Sequence, residues 1–274
     1  MNDIFSKLFS RPLAISAEGA RQLKSMSARS GGIESRTAID PEKIGVGMDV
    51  FGNEWPKPYD LRAGVRVIPM MGPMTRGLGL LGQYYGMVDM DTVGRQIDEA
   101  AEDDSVEMIV MHIQSPGGSA VGCAELADKL RSSGKATLAF TDDMMASAAY
   151  FVASGCEQIA ATPSSLTGSI GTLLQLVDDS EFWAKMGIEF IVLRSGEYKG
   201  AGIDGYSEEQ LAEMQALVDA FGAQFREFVS ESRPIAGDDM RGQVYLAEEA
   251  REKKFLDIVS KNLIQAVEEA QSRL

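Results

Sequence analysis

With 274 residues the chain is long enough to bury one substantial core, with or without an extra arm. A hydrophobic fraction of 45% and a charged fraction of 24% are those of an ordinary soluble globular protein, and a formal net charge of -15 argues against nucleic acid and against anionic membrane surfaces as partners. The two cysteines, Cys123 and Cys156, show neither a CxxC spacing nor a histidine partner; they read as small buried apolar residues, so neither a metal nor another cofactor is expected.

The N-terminal stretch from Met1 to Phe9 carries an early acidic residue and lacks the apolar run of a secretory signal. No later segment approaches ~18 uninterrupted apolar residues, so no membrane span is expected and the setting predicted is cytoplasmic and reducing. Residues 1–60 have a weak pattern, with a short helical stretch near Ala17 to Met26 and breaks at Ser30-Gly31-Gly32 and Trp55-Pro56-Lys57-Pro58. They read as an N-terminal arm or linker to a main domain over 61–274.

From Gly64 onward apolar runs alternate with amphipathic stretches, the pattern of an α/β fold around a largely buried sheet. Strands are predicted from Val65 to Met70, Val106 to Ile113, Ala136 to Phe140 and Phe190 to Leu193. Asp91 is placed to cap a helix with Val93, Ile97, Ala100 and Ala101 on one face. A second helix carries Ala120, Cys123, Leu126 and Leu130, and a short buried one runs from Ser147 to Ser154. A long helix from about Glu208 to Glu231 opens on a Ser207 to Gln210 capping box, and its stripe of Leu211, Met214, Leu217, Val218, Phe221, Phe225 and Phe228 is read as core packing.

Three segments carry possible chemistry. Ser115-Pro116-Gly117-Gly118-Ser119 lies between a buried strand and a helix, where paired glycines let the main chain approach a ligand and turn N–H groups toward it. On its own it is also simply a turn. Ser147 stands at a strand-to-helix junction, open to two readings: an exposed nucleophile followed by the Ala148 N–H, or an N-cap whose hydroxyl satisfies backbone donors. A serine nucleophile needs a base. The single histidine, His112, sits in an apolar strand and reads as a satisfied or edge residue, which leaves Lys199, in the loop Arg194-Ser195-Gly196-Glu197-Tyr198-Lys199-Gly200. A lysine acts as base only when desolvation or neighbouring charge lowers its pKa, and an isolated Lys199 would be a surface residue.

Taken together, Ser115-Pro116-Gly117-Gly118, Ala146-Ser147 before Tyr150, Thr167-Gly168-Ser169-Ile170-Gly171, Arg194-Ser195-Gly196 with Tyr198-Lys199, and Gly242-Gln243-Val244-Tyr245 resemble peptidase family S49, the signal peptide peptidase A group and its phage prohead protease branch. The resemblance covers roughly residues 60–265. It implies a ClpP/crotonase-like spiral of ββα units, flanked here by the N-terminal arm and C-terminal helices, that assembles into a homo-oligomeric ring. It implies Ser147 as nucleophile, Lys199 as general base, Ser169 as the residue holding the lysine amine, the N–H groups of Gly118 and Ala148 as oxyanion hole, and Gly117 and Ser119 as substrate-binding residues.

Ser147-Ala148-Ala149-Tyr150 departs from the Ser-Gly-Gly-Tyr of many members, keeping the oxyanion N–H but narrowing the space beside it. The missing anchor and the arm around Phe9-Ser10-Arg11-Pro12-Leu13 favour the phage branch, with scaffold, capsid or portal polypeptides as substrates and the host cytoplasm or prohead as location. A scaffolding tail like that often fused in this branch is expected to be absent, separately encoded or removed. Three alternatives stand beside this reading: a soluble signal-peptide-peptidase-like protease, a crotonase-like acyl-CoA enzyme using glycine N–H groups, and a non-catalytic assembly module. The pairs Met70-Met71 and Met144-Met145 could line an adaptable groove, although at least half of them are expected in the core.

Overall fold

A computed structural model describes Leu13–Ile15, Asp49 and residues 53–274. The strands are β1 (Leu13–Ile15), β2 (Tyr59–Arg62), β3 (Val65–Met71), β4 (Met74–Thr75), β5 (Val88–Asp89), β6 (Met108–Gln114), β7 (Gly117–Ser119), β8 (Ala136–Thr141), β9 (Met144–Ala146), β10 (Gln158–Ala161), β11 (Leu166–Gly168), β12 (Val244–Leu246) and β13 (Ile258–Val259). The helices are α1 (Gly79–Tyr84), α2 (Met90–Glu102), α3 (Cys123–Arg131), α4 (Ala148–Ala153), α5 (Ser180–Lys185), α6 (Glu208–Ser232), α7 (Ala247–Glu252) and α8 (Leu263–Gln271).

One pattern recurs along the chain: a long strand, a short strand, then a helix. It is traced by β6–β7–α3 and β8–β9–α4, and begins again in β10–β11. The long strands form a six-stranded sheet in the order β13-β10-β8-β6-β3-β2, parallel except for the β2 edge. The short strands leave that sheet for two smaller ones, β1-β7-β4-β5 and β12-β11-β9. This is the α/β spiral of ββα units expected from the sequence.

Both faces of the large sheet are covered, which is why its strands read as continuous apolar runs rather than alternating ones. Along β6 the side chains divide by parity: Ile109, Met111 and Ile113 join the cluster beneath α2, α3 and α4, while Met108 and Val110 join a second cluster with Val267 and Ala270 of α8. A buried ion pair closes one end of the sheet. Arg233, just after α6, donates to Asp257 at 2.5 Å and to the carbonyls of Cys156 and Glu157, and Asp257 accepts the N–H of Ile159 at 2.8 Å.

Several expectations need correction. The N-cap of α2 is Asp89, whose carboxylate accepts the Thr92 N–H at 3.0 Å; Asp91 lies inside the first turn. No strand forms over 190–193, where Ile191 and Leu193 are 84% and 94% exposed: the run is apolar and β-branched but has no neighbouring strand to pair with. The α6 capping box is present, yet its stripe packs only in the C-terminal half. Phe225 is buried and Phe221 and Phe228 pack against the core, while Leu211 and Leu217 are exposed. Met70 and Met145 are core residues, and Met71 and Met144 are half-buried. The helix predicted near Ala17 to Met26 lies outside the described residues.

Candidate active site

Two backbone hydrogen bonds stitch the glycine turn to the strand that leads into Ser147. The Ser115 N–H donates to the Met144 carbonyl at 2.7 Å, and the Ala146 N–H donates to the Ser115 carbonyl at 3.1 Å. This parallel bridge, Ser115 opposite Met145, brings Gly117 and Gly118 alongside the start of α4. On the other side of β9 lies β11, with Gly168 opposite Ala146. The Ser147 N–H donates to the Gly168 carbonyl at 2.8 Å, which sets Ser169 next to Ser147.

Ser147 occupies the position before the first residue of α4 with φ 57 and ψ -122, a conformation that costs a non-glycine residue about 1–3 kcal/mol. Its hydroxyl makes no cap hydrogen bond, is fully buried and has no hydrogen-bond partner among the described residues. The capping alternative therefore fails. A turn of this kind instead aims a side chain away from both the strand and the helix it joins.

Ser169 repeats the positive φ, at 57, and is held by its own N–H donating to the Gln243 carbonyl. The carbonyls of Gly168 and Gln243 thus fix the two serines, and sequence reasoning assigned them no role. Their signal was present in Thr167-Gly168-Ser169 and Gly242-Gln243-Val244-Tyr245, because Gly168, at φ +120, leaves only 2.6 Å between a built Cβ and the Gln243 carbonyl. The same logic holds at Gly118, where a Cβ would lie 2.1 Å from the Met74 carbonyl oxygen. Gly117 takes φ 98, and its N–H donates to the Ser115 hydroxyl at 3.2 Å. Ser119 is buried, its hydroxyl donating to the Val121 carbonyl at 3.4 Å.

Ser147, Ala148, Ser169, Gly117, Gly118 and Ser119 are therefore gathered on adjoining strands. Lys199 is not among them. It is exposed, in a turn closed by its N–H donating to the Gly196 carbonyl, and the unpartnered Ser147 hydroxyl shows that its amine does not reach the serine within one copy. His112 does not serve either: its Nε2 pairs with Asp142 at 2.9 Å, and Asp142 also accepts from Gln114. Burial works to raise the Asp142 carboxyl, but the hydrogen bonds from His112 and Gln114 outweigh it and hold the group below its ordinary value. Burial pushes the Cys123 and Cys156 thiols up to about 12, which leaves both as inert core residues. A cleft of about 650 Å³, lined by Ser169, Thr172, Gly222, Arg226, Met240 and Arg241, opens beside the site. No cluster of metal-binding side chains occurs among the described residues.

Several known proteins are similar to this chain. Head-tail preconnector protein GP5 of Enterobacteria phage P21 is 30% identical over 189 residues, covering 67% of this chain and 38% of that protein. Capsid assembly protease C of Escherichia phage lambda is 26% identical over 275 residues, covering 93% of this chain and 62% of its own. The chain thus spans less than two thirds of the length of either relative. Among solved structures, a ClpP1 variant of Listeria monocytogenes matches over 73% of this chain and 94% of its own, with 11% identity and a TM-score of 0.49. The family model Peptidase family S49 matches residues 129–274, more than half of the sequence and inclusive of Ser147, Ser169 and Lys199, and the chain belongs to that family.

Proposed function

We propose that the protein is a serine endopeptidase with a Ser147/Lys199 dyad that cleaves scaffold or capsid polypeptides during phage prohead maturation. The observation that carries the chemistry is the Ser147 hydroxyl, which is buried, has no partner among the described residues and is held at a strained turn; the reading adds the main-chain N–H groups of Gly118 and Ala148 as oxyanion donors. A hydroxyl left unsatisfied in a core costs about 1–3 kcal/mol, and that cost is intelligible where the missing partner arrives with the reaction. The phage setting is supported by the likeness to Capsid assembly protease C of phage lambda.

In this reading Ser147 Oγ attacks the carbonyl carbon of the scissile bond while its proton passes to the neutral Lys199 amine, which Ser169 holds by a hydrogen bond. Charge develops on the carbonyl oxygen, where the Gly118 and Ala148 N–H groups donate to it. Lys199 then protonates the leaving amine. Water, deprotonated by the same lysine, attacks the acyl-enzyme and restores Ser147.

Because Lys199 is exposed in one copy, the reading requires an assembly that carries it into the dry site, where desolvation favours the neutral amine. The exposed apolar side chains of Phe182, Met186, Ile191 and Leu193, in the segment before Lys199, support association of several copies. The test is hydrolysis of a fluorogenic peptide library by wild type, Ser147→Ala and Lys199→Ala, with co-expressed scaffold and capsid proteins as a second substrate set. Each variant is expected to lose at least about 100-fold. Wild-type activity in either one would overturn the dyad.

A further inference from the structure

The four-stranded sheet ends in an unusual neighbour. Strand β7, Gly117–Ser119, is flanked on one side by β4 and on the other by β1, a three-residue piece of the N-terminal region. The pairing is antiparallel and residue by residue: Leu13 opposite Ser119, Ala14 opposite Gly118, Ile15 opposite Gly117. The same strand lies against α4, the helix that follows Ser147. A short extended segment hydrogen-bonded to a sheet edge is how a peptide is bound by strand addition, with main-chain bonds supplying the affinity.

The registers fix where this segment lies relative to the nucleophile. Ser115 is opposite Met145 in an isolated parallel bridge, and beyond it β7 runs against α4, the helix that Ala148 opens, so Gly117 and Gly118 lie beside the helix that follows Ser147. Ile15 and Ala14, paired with Gly117 and Gly118, therefore set the Ala14–Ile15 peptide bond along the two glycines, beside the helix that follows Ser147. Ala14 faces the residue whose N–H the peptidase reading assigns to the carbonyl oxygen.

We propose that Leu13–Ile15 is a built-in peptide substrate, bound along β7 as an added strand, and that the protein cleaves its own Ala14–Ile15 bond. The inference rests on the peptidase reading above. Ser147 Oγ bonds to the Ala14 carbonyl carbon, the bond from that carbon to the Ile15 nitrogen breaks, and the serine proton passes through Lys199 to the Ile15 amine. Water then adds to the Ala14 ester, releasing residues 1–14 with a C-terminal carboxylate and regenerating the Ser147 hydroxyl. Release of Leu13 and Ala14 opens the β7 edge at Gly118 and Ser119 to other polypeptides, so self-cleavage and exposure of the substrate edge are one event.

The experiment follows intact mass and N-terminal sequence of the purified full chain during incubation, alongside hydrolysis of an added fluorogenic peptide. Wild type is expected to accumulate a species beginning at Ile15, while Ser147→Ala retains residues 1–14. Ile15→Pro, which removes the N–H of the residue that would become the new N-terminus, is expected to keep its arm and hydrolyse the added peptide more slowly than processed wild type. Wild type that hydrolyses the peptide yet keeps residues 1–14 overturns the self-cleavage and leaves the peptidase reading standing. Loss of the same residues from Ser147→Ala also overturns it, by assigning the cut to another protease. Absence of both activities in wild type overturns the peptidase reading and the inference with it.

Discussion

The backbone N–H of Ser147 donates to the carbonyl of Gly168 at 2.8 Å, and both Ser147 and the residue after Gly168, Ser169, take φ 57. One hydrogen bond thus couples two strained serines on adjoining strands, so that the hydroxyl proposed to attack and the hydroxyl proposed to steer the base are set by the same piece of backbone. In the proposed mechanism Ser169 is a positioning residue. Ser169→Ala removes one hydrogen bond to a lysine amine, worth about 1.5–3 kcal/mol when the partner is charged, so kcat should fall roughly tenfold to a hundredfold with KM little changed. A merely structural role would instead lower the melting temperature and leave the kcat of the folded fraction intact. Ser169→Thr, which keeps the hydroxyl, should recover part of the rate.

Gly118→Ala should be far more damaging than its size suggests. The added methyl would lie 2.1 Å from the Met74 carbonyl oxygen, so β4 or β7 must move. Overpacking of this kind costs about 1–3 kcal/mol, and the same shift misaligns the Gly118 N–H. Lower stability together with loss of turnover is expected; a variant with wild-type kcat/KM would remove Gly118 from the oxyanion hole.

Assembly should complement two inactive variants. If Lys199 reaches Ser147 from a second copy, mixing Ser147→Ala with Lys199→Ala under conditions that allow subunit exchange restores a fraction of wild-type activity. Concentration-dependent activity of wild type checks the same point. A fully active monomer at every dilution, established by light scattering, would contradict it.

The Arg233–Asp257 pair makes a stability prediction away from the site. Arg233 is 6% exposed and ties the end of α6 to the loop before β10, so Arg233→Ala strands the Asp257 carboxylate and two carbonyls. Breaking a buried pair from one side costs about 3–5 kcal/mol. Because the Asp257 side chain is 31% exposed and partly rehydrates, the lower end of that range is expected in urea denaturation.

The pH dependence of stability has a local source near β12. The hydrogen bond from Lys253 at 2.8 Å, aided by the Tyr245 hydroxyl at 3.0 Å, holds the Asp239 carboxyl below its ordinary value against a smaller effect of burial. A carboxyl lowered in the folded state stabilises above its unfolded value and loses that contribution as pH falls through the folded one. The melting temperature should therefore drop on acidification below the ordinary carboxylate range, and Asp239→Asn should flatten that limb. Lys253, raised by the same hydrogen bond, works in reverse and is lost on the alkaline side.

Much of this architecture was legible in the residues. The runs Val65 to Met70 and Ala136 to Phe140 are apolar throughout because both sheet faces are covered, and the α6 start was given by Ser207 and Gln210, whose side chains each bond the other's backbone. Asp89 and Asp91 both fit a cap, and only the tertiary position of Met90 at the helix start selects the first. The apolar segment from Phe190 to Leu193 carries strand chemistry without a strand, since it pairs with no strand among the described residues. At the site, residue types pointed to Ser147 and the Gly117-Gly118 turn, and the S49 resemblance added the roles of Ser169 and Gly118, but the positive φ of the serines and the orphaned hydroxyl are properties of the folded backbone. The pairing of Leu13–Ile15 with β7 was invisible for the same reason: three residues are too few for any periodicity to announce a strand.

The most direct measurement of the central claim is the rate at which a fluorophosphonate forms a covalent adduct, with the modified residue mapped by mass spectrometry. The account predicts a single adduct at Ser147 in wild type, none in Ser147→Ala, and a rate at least about 100-fold lower in Lys199→Ala. Labelling of Lys199→Ala at the wild-type rate, or an adduct on any other serine, would contradict it.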